Sequence, residues 1–257
     1  MSSSIEIIAS AAFGLAAGML SGFLGIGGGA ILTPLLVFAL GIEQHRAQGI
    51  SLAALLPPVG LPAVLAYRKR GIRIDVRLVV LLIVGFVIGT VGGAWSAHQV
   101  PSRELRWCFA AFLAITAVHT AFFVKPVEAS DEAPSPRVPA WMGIVIGVLA
   151  GLMSGLLGVG GGLITLPLLK RFGRLGRLEA QTTTLAMMLP PIGLPAVFVY
   201  ANEQGGLPWA LLGAVATGFA LGAWPGAHLA GRMKARGAAL VYAGFLALIA
   251  ALLVARN

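Results

Sequence analysis

Apolar runs recur from Ile5 almost to the C-terminus, at 5–24, 30–42, 49–67, 76–98 and 104–124, then at 140–158, 163–172, 181–200, 208–230 and 237–255. About 20 such residues suffice to cross a hydrocarbon core of roughly 30 Å. Open sheet edges cannot sit in lipid, and these runs are too continuously apolar for the alternating strands of an outer-membrane barrel. The predicted fold class is therefore all-α, a polytopic transmembrane helical bundle. The runs 30–42 and 163–172 are too short to span comfortably. Each starts at a triple glycine and carries a proline early, which predicts a broken or partly re-entrant helix. One extended polar interval breaks the pattern between Val124 and Ala140, where Pro126, Pro134, Pro136 and Pro139 stand among Glu128, Asp131 and Glu132. It is too short to fold alone and reads as a linker.

The chain repeats itself. A shift of 133 positions lays Ser21 and Gly22-Phe-Leu-Gly-Ile-Gly-Gly-Gly29 on Ser154 and Gly155-Leu-Leu-Gly-Val-Gly-Gly-Gly162. At the same offset Leu56-Pro-Pro-Val-Gly-Leu-Pro-Ala-Val64 falls on Leu189-Pro-Pro-Ile-Gly-Leu-Pro-Ala-Val197, Gln48 on Gln181 and Tyr67 on Tyr200. Gly85, Phe86, Gly89 and Gly93 meet Gly218, Phe219, Gly222 and Gly226. A single ungapped offset through all of these establishes duplication, and repeats in a membrane protein point to transport rather than catalysis. The expected organisation is a first transmembrane repeat at 1–124, a polar cytoplasmic linker at 125–139 and a second transmembrane repeat at 140–257.

Composition sharpens this picture. Of 257 residues 58% are hydrophobic and only 11% charged, against roughly 25% charged in ordinary soluble domains. The net charge of +9 comes from bases in short loops between apolar runs, the pattern of the positive-inside rule and not of a nucleic-acid face. The loops differ between the repeats. Arg68, Lys69, Arg70, Arg73 and Arg77 follow 49–67, whereas the equivalent loop has Asn202 and Glu203; one loop earlier, Lys170, Arg171, Arg174 and Arg177 face a lone Arg46. Two inverted repeats with both termini periplasmic place 14 of the 18 Lys and Arg in the cytoplasm, leaving Arg46, Arg103, Arg106 and Arg256 outside. A parallel arrangement divides them almost evenly, so inversion is the expectation. No base precedes Arg46, so the first segment does not read as a cleavable signal peptide. Cys108 is the single cysteine and can form neither an internal disulfide nor a thiolate metal site.

Two motifs per repeat carry chemistry. At Gly27, Gly28 and Gly29, and at Gly160, Gly161 and Gly162, consecutive glycines let a helix open and present N–H groups and the positive end of the next half-helix to an anion. Ser21 and Ser154 add hydroxyls beside that break. Close helix packing is the competing reading, and it is preferred for Gly18, Gly22, Gly25 and their counterparts. At Pro57 and Pro58, and at Pro190 and Pro191, proline interrupts the third helix of each repeat, and a discontinuous helix at matched positions points to a midplane site. A structural kink weighs about as much. Gln48, Ser51, Gln181, Thr182, Thr183 and Thr184 could replace water around an oxyanion or simply join helices. The sixteen residues Ser21, Gly27, Gly28, Gly29, Gln48, Ser51, Pro57, Pro58, Ser154, Gly160, Gly161, Gly162, Gln181, Thr184, Pro190 and Pro191 are the candidate substrate-binding set. His98, His119 and His228 read as structural histidines, and His45 with Arg46 as loop anchors that could also steer an anion. No catalytic residue, metal site or cofactor is expected, since neither a His-Glu-x-x-His cluster nor a nucleophile with a base partner occurs.

The repeated Gly-x-Gly-Gly-Gly segment, the Pro-Leu-Leu run at 34–36 and 167–169, and the Pro-Pro-x-Gly-Leu-Pro-Ala segment resemble the TauE/SafE sulfite exporter family of bacterial membrane permeases, over nearly the whole chain. The resemblance implies a transporter of small anions such as sulfite, sulfonates or related organic anions, in the bacterial inner membrane, with two pseudo-symmetric bundles around a central site. Alternating access is the expected mechanism and an anion-conducting channel the alternative. Partners are then the anion and the lipid bilayer, with no nucleic acid. The sequence leaves open the direction of transport, a coupling proton or sodium ion, and a homo-oligomer.

Overall fold

The computed structural model describes residues 4–24, 28–57, 61–69, 71–72, 74–123, 138–203, 206–230 and 235–255; Gly27, Pro58 and linker residues 125–137 lie outside them. The described residues form helices and no strand: α1 (Ser4–Leu24), α2 (Gly29–Ala39), α3 (Gln44–Ala54), α4 (Leu61–Lys69), α5 (Val76–Gln99), α6 (Ser102–Phe123), α7 (Ala140–Leu157), α8 (Gly162–Arg171), α9 (Arg177–Met187), α10 (Leu194–Glu203), α11 (Trp209–Ala230) and α12 (Ala235–Ala255). The protein is thus an all-α helical membrane protein, in which α5, α6, α7 and α11 are long and apolar enough to cross a bilayer by length and composition. The helices begin where the sequence supplies a start. The Asp75 carboxylate accepts from the N–H groups of Arg77 and Leu78 at 3.0 and 3.2 Å, capping α5. Pro101, Pro139 and Pro208 stand just before α6, α7 and α11, where the missing N–H has no intrahelical partner to lose.

The proline motifs divide each third segment in two, α3 from α4 and α9 from α10. These pieces, with α2 and α8, have 9 to 11 residues, about 14–17 Å each at 1.5 Å per residue, so it takes two of them to span the bilayer. Pro34 and Pro167 lie inside continuous helices, so the break that accompanies each triple glycine comes before the short helix rather than within it.

Long helices pack across the repeats, α1 along α11, α5 along α7, and α6 against α12. Glycine makes the first two pairs close. A Cβ on Gly14 or Gly18 would collide with the backbone of Val215 or Phe219, and one on Gly218, Gly222 or Gly226 with that of Ala11, Leu15 or Met19. Residue numbers rise together on both helices, so the pair is parallel. The equivalent residues repeat the arrangement: Gly147 and Gly151 abut Leu82 and Phe86, and Gly85, Gly89 and Gly93 abut Ile144, Val148 and Leu152. Helix association in lipid rests on such close contact, because burying apolar surface gains little there. The tertiary contacts therefore carry the 133-residue repeat.

The broken segments lie between these pairs, with α3 beside α10 and α4 beside α9. Gly49 of α3 faces Tyr200 of α10, and Leu56 past the end of α3 lies against Gly193 before α10, so α3 and α10 run antiparallel. Outside, the surface is apolar. All five tryptophans, Trp95, Trp107, Trp141, Trp209 and Trp224, are exposed and stand near helix ends, as in an interfacial aromatic belt, and Ile88, Ile115, Phe122 and Phe198 are exposed with them.

Candidate functional site

The two glycine breaks meet back to back at the centre. In the second repeat, α7 ends at Leu157 with Gly158 as a left-handed cap (φ +69°), whose N–H donates to the Ser154 carbonyl at 2.8 Å; Gly160 is also left-handed (φ +76°). A Cβ on Gly158 would stand 2.7 Å from Gln48, and one on Gly160 3.2 Å from Leu55. The α2 start presses on this turn, where a Cβ on Gly29 would collide with the Val159 backbone. Thr33 donates its hydroxyl to the Gly158 carbonyl at 3.0 Å. Beside each break stands a phenylalanine of the partner bundle, Phe219 against Gly28 and Phe86 against Gly161.

Neither short helix has a side-chain cap: Gly28 and Gly161 occupy the capping positions of α2 and α8. Several buried hydroxyls of the bundle lack partners. The hydroxyls of Ser51, Ser154, Thr183 and Thr184 are buried and make no hydrogen bond. Ser51 and Thr184 are equivalent under the repeat, and Thr184 Cγ2 would lie 3.8 Å from a Cβ on Gly162, which seats it at the start of α8. Ser154 lines a central cavity of about 30 Å³ with Leu52, Phe86, Gly160, Gly161 and Pro190 among its other walls. A buried hydroxyl without a partner loses its water without replacement, so such groups ordinarily mark a place for water or a ligand. Uncapped N-termini beside hydroxyls that can donate suit an anion, since both offer it positive polarity.

A second polar cluster joins α3, α7 and α10. Tyr200 is fully buried, and its hydroxyl lies 2.9 Å from Gln48 Oε1 and 2.8 Å from the Gly155 carbonyl oxygen, sharing its single proton between them. Gln48 Nε2 donates to the Leu156 carbonyl at 3.1 Å. Towards the end of the bundle His98 packs 4.8 Å from the Tyr200 ring centroid and stacks on His45 at 5.4 Å, while Ser102 donates to Glu43 Oε1 at 2.7 Å.

Of the candidate residues, the structure brings together Gly28, Gly29, Ser154, Gly160, Gly161 and Gly162 at the breaks, with Ser51 and Thr184 on the facing helices. Ser21 is buried near the end of α1. Pro190 and Pro191 reach the cavity wall, and Pro57 is exposed at the end of α3. Gln181 is half-buried, without the bonds that Gln48 makes. Gly18 and Gly151 serve packing as expected, whereas Gly158, the counterpart of Gly25, is also a backbone cap. Sequence reasoning missed Phe86, Phe219, Thr33 and the role of Tyr200. The recurrence of Tyr67 at Tyr200, two of only three tyrosines, was the available signal. Among the described residues no group of His, Cys, Asp and Glu could hold a metal ion.

A multi-pass helical bundle with matched helix breaks at its centre defines the class: a membrane transporter. Residues 10–253 match the family described as Sulfite exporter TauE/SafE, and the chain belongs to that family. It is similar to the probable membrane transporter protein YdhB of Bacillus subtilis (26% identical, covering 84% of this chain and 87% of that one). It also resembles the probable membrane transporter protein YunE of the same organism (24%, covering 86% and 85%) and a probable membrane transporter protein of Haemophilus influenzae (27%, covering 80% of each). No solved structure matches the chain at a significant level.

Proposed function

We propose that the protein carries a small oxyanion, sulfite or a compact sulfonate, across the bacterial cytoplasmic membrane by alternating access, without enzymatic chemistry. The observation that carries this reading is the uncapped start of α8 on a central cavity, with the unpartnered buried hydroxyl of Ser154 in its wall, that of Thr184 beside Gly162, and the uncapped start of α2 packed against the same turn at Val159. The cavity holds about two or three waters, room for a compact anion rather than a bulky one. Binding through dipoles and hydroxyls, with no buried arginine at the breaks among the described residues, suits an anion that must also leave.

Inversion of the repeats is part of the proposal. Its support is the antiparallel course of α3 and α10, since α3 corresponds to α9 and α4 to α10 under the 133-residue offset. With the basic loops cytoplasmic, both termini then face the periplasm. Alternating access is favoured over a continuous pore because Gln48 and Tyr200 are wholly buried and tie α3, α10 and the end of α7 together while the nearby hydroxyls of Ser51 and Ser154 stay unpartnered.

The test is sulfite flux into proteoliposomes with wild-type protein and a Ser154→Ala, Thr184→Val pair. Saturable flux is expected, with KM raised about tenfold or more in the double variant, the effect of losing hydrogen bonds to a charged ligand. A correctly inserted protein that moves neither sulfite nor any of a panel of sulfonates and carboxylates would sink the proposal. Current that rises linearly with concentration would replace the carrier with a channel.

A further inference from the structure

The knot at Gln48 and Tyr200 has a counterpart in sequence but not in contact. Gln181 and Tyr67 stand at the equivalent positions, and Gly22 and Phe23 at the places of Gly155 and Leu156, whose carbonyls receive the knot's hydrogen bonds. Gln48 and Tyr200 are wholly buried. Gln181 and Tyr67 are half-buried, and no hydrogen bond joins them among the described residues. The helices carrying them differ in the same sense. Among the described residues α10 packs along α5, and α4 has no comparable packing along α11. By contrast, the long parallel pairs are matched glycine by glycine.

We propose that these are two exchangeable gates: Gln48 with Tyr200, joined in this structure, closes one side of the central cavity, and Gln181 with Tyr67 closes the other in a second state, onto the carbonyl groups of Gly22 and Phe23. The physical reason is the duplication itself. Two halves with the same donors, acceptors and glycine turns at equivalent positions have two packings of nearly equal energy, related by exchange of roles. A single structure shows one of them, so one knot is tied and its twin is loose. The tyrosine hydroxyl and the glutamine amide suit this work, since either can release a backbone carbonyl to water without leaving a charge behind. The helices that move are the short ones on either side of the proline breaks, while the interlocked glycine pairs stay fixed. This inference rests on the alternating-access reading above.

The experiment measures access, not transport. Ser51→Cys and Thr184→Cys, each one turn deeper than its gate glutamine, serve as separate reporters in a Cys108→Ser background, alkylated by a membrane-impermeant maleimide applied to each face of the membrane in turn. Tyr200→Phe removes the hydroxyl and keeps the ring. It is expected to speed alkylation at residue 51 and slow it at residue 184, so that the ratio of the two rates rises about fivefold, the shift in a two-state equilibrium for one net hydrogen bond. Tyr67→Phe is expected to do the reverse, with the two fast reactions confined to opposite faces. If Tyr200→Phe speeds reaction at residue 51 and leaves residue 184 unchanged, the knot is local packing and the proposal fails. It fails equally if neither rate moves. Since no anion is needed for the readout, reciprocal labelling without flux would overturn the transport reading alone, and flux without reciprocal labelling would overturn the gates alone.

Discussion

Gly18 in the middle of α1 and Gly158 at the end of α7 both touch a neighbouring helix, yet they do different physical work. Gly18 is helical and brings two backbones together, with Phe219 occupying the space where its side chain would be. Gly158 is left-handed, ends its helix and turns a carbonyl towards Thr33. The long parallel pairs are a clasp repeated along four helices. The short helices are joined by side-chain hydrogen bonds as well as packing, through Gln48, Tyr200 and Thr33. A row of backbone-to-backbone contacts holds one geometry, whereas a side-chain hydrogen bond can exchange partners.

That contrast can be broken at several places. Gly18→Ala or its twin Gly151→Ala drives a methyl into a backbone that cannot rotate away, so each is expected to cost about 3 kcal/mol and to lower the melting temperature in detergent sharply. Gly158→Ala combines a left-handed backbone with a contact on Gln48. It should cost about 2 kcal/mol and also raise maleimide access at Ser51→Cys, which Gly18→Ala should not do selectively. Asp75→Ala removes the cap of α5, with an expected loss of about 1 kcal/mol and no change in access at either reporter. Gly244→Ala, in a part of α12 where a methyl meets nothing within 4 Å, should stabilise by up to about 1 kcal/mol in the same melts. A destabilising Gly244→Ala or a harmless Gly18→Ala would dissolve the distinction between clasp glycines and idle ones.

Much of this architecture was legible in the residues. The apolar runs and the prolines marked the helices and their interruptions because lipid leaves the backbone few choices. The duplication was legible too, since the motifs at Gly22–Gly29 and Gly155–Gly162 align without a gap. What hydropathy could not say is which helix pairs with which. Gly14, Gly18, Gly218 and Gly222 show the four-residue spacing of close packing, but only tertiary structure matches the row in α1 to the row in α11. The candidate site was legible at Ser154, Thr184 and the glycines. Gln48, which the sequence left between lining an oxyanion and joining helices, donates to the Leu156 carbonyl and accepts from Tyr200 in this structure. Tyr200 escaped notice because a tyrosine in an apolar run usually reads as bulk.

The pairing of α1 with α11 also has a consequence for biogenesis. Gly18 leaves the ribosome about 200 residues before Phe219. At roughly 5–20 residues per second the first helix waits some ten to forty seconds for its mate. In water a bare face of that kind would aggregate; in a bilayer it is covered by acyl chains until a better-fitting neighbour displaces them. The first helix therefore stays unpaired until the last third of the chain has been threaded, and neither repeat completes its own clasp. A chain severed in the linker should assemble when both pieces are made together, and each piece made alone should be cleared by the membrane's proteases.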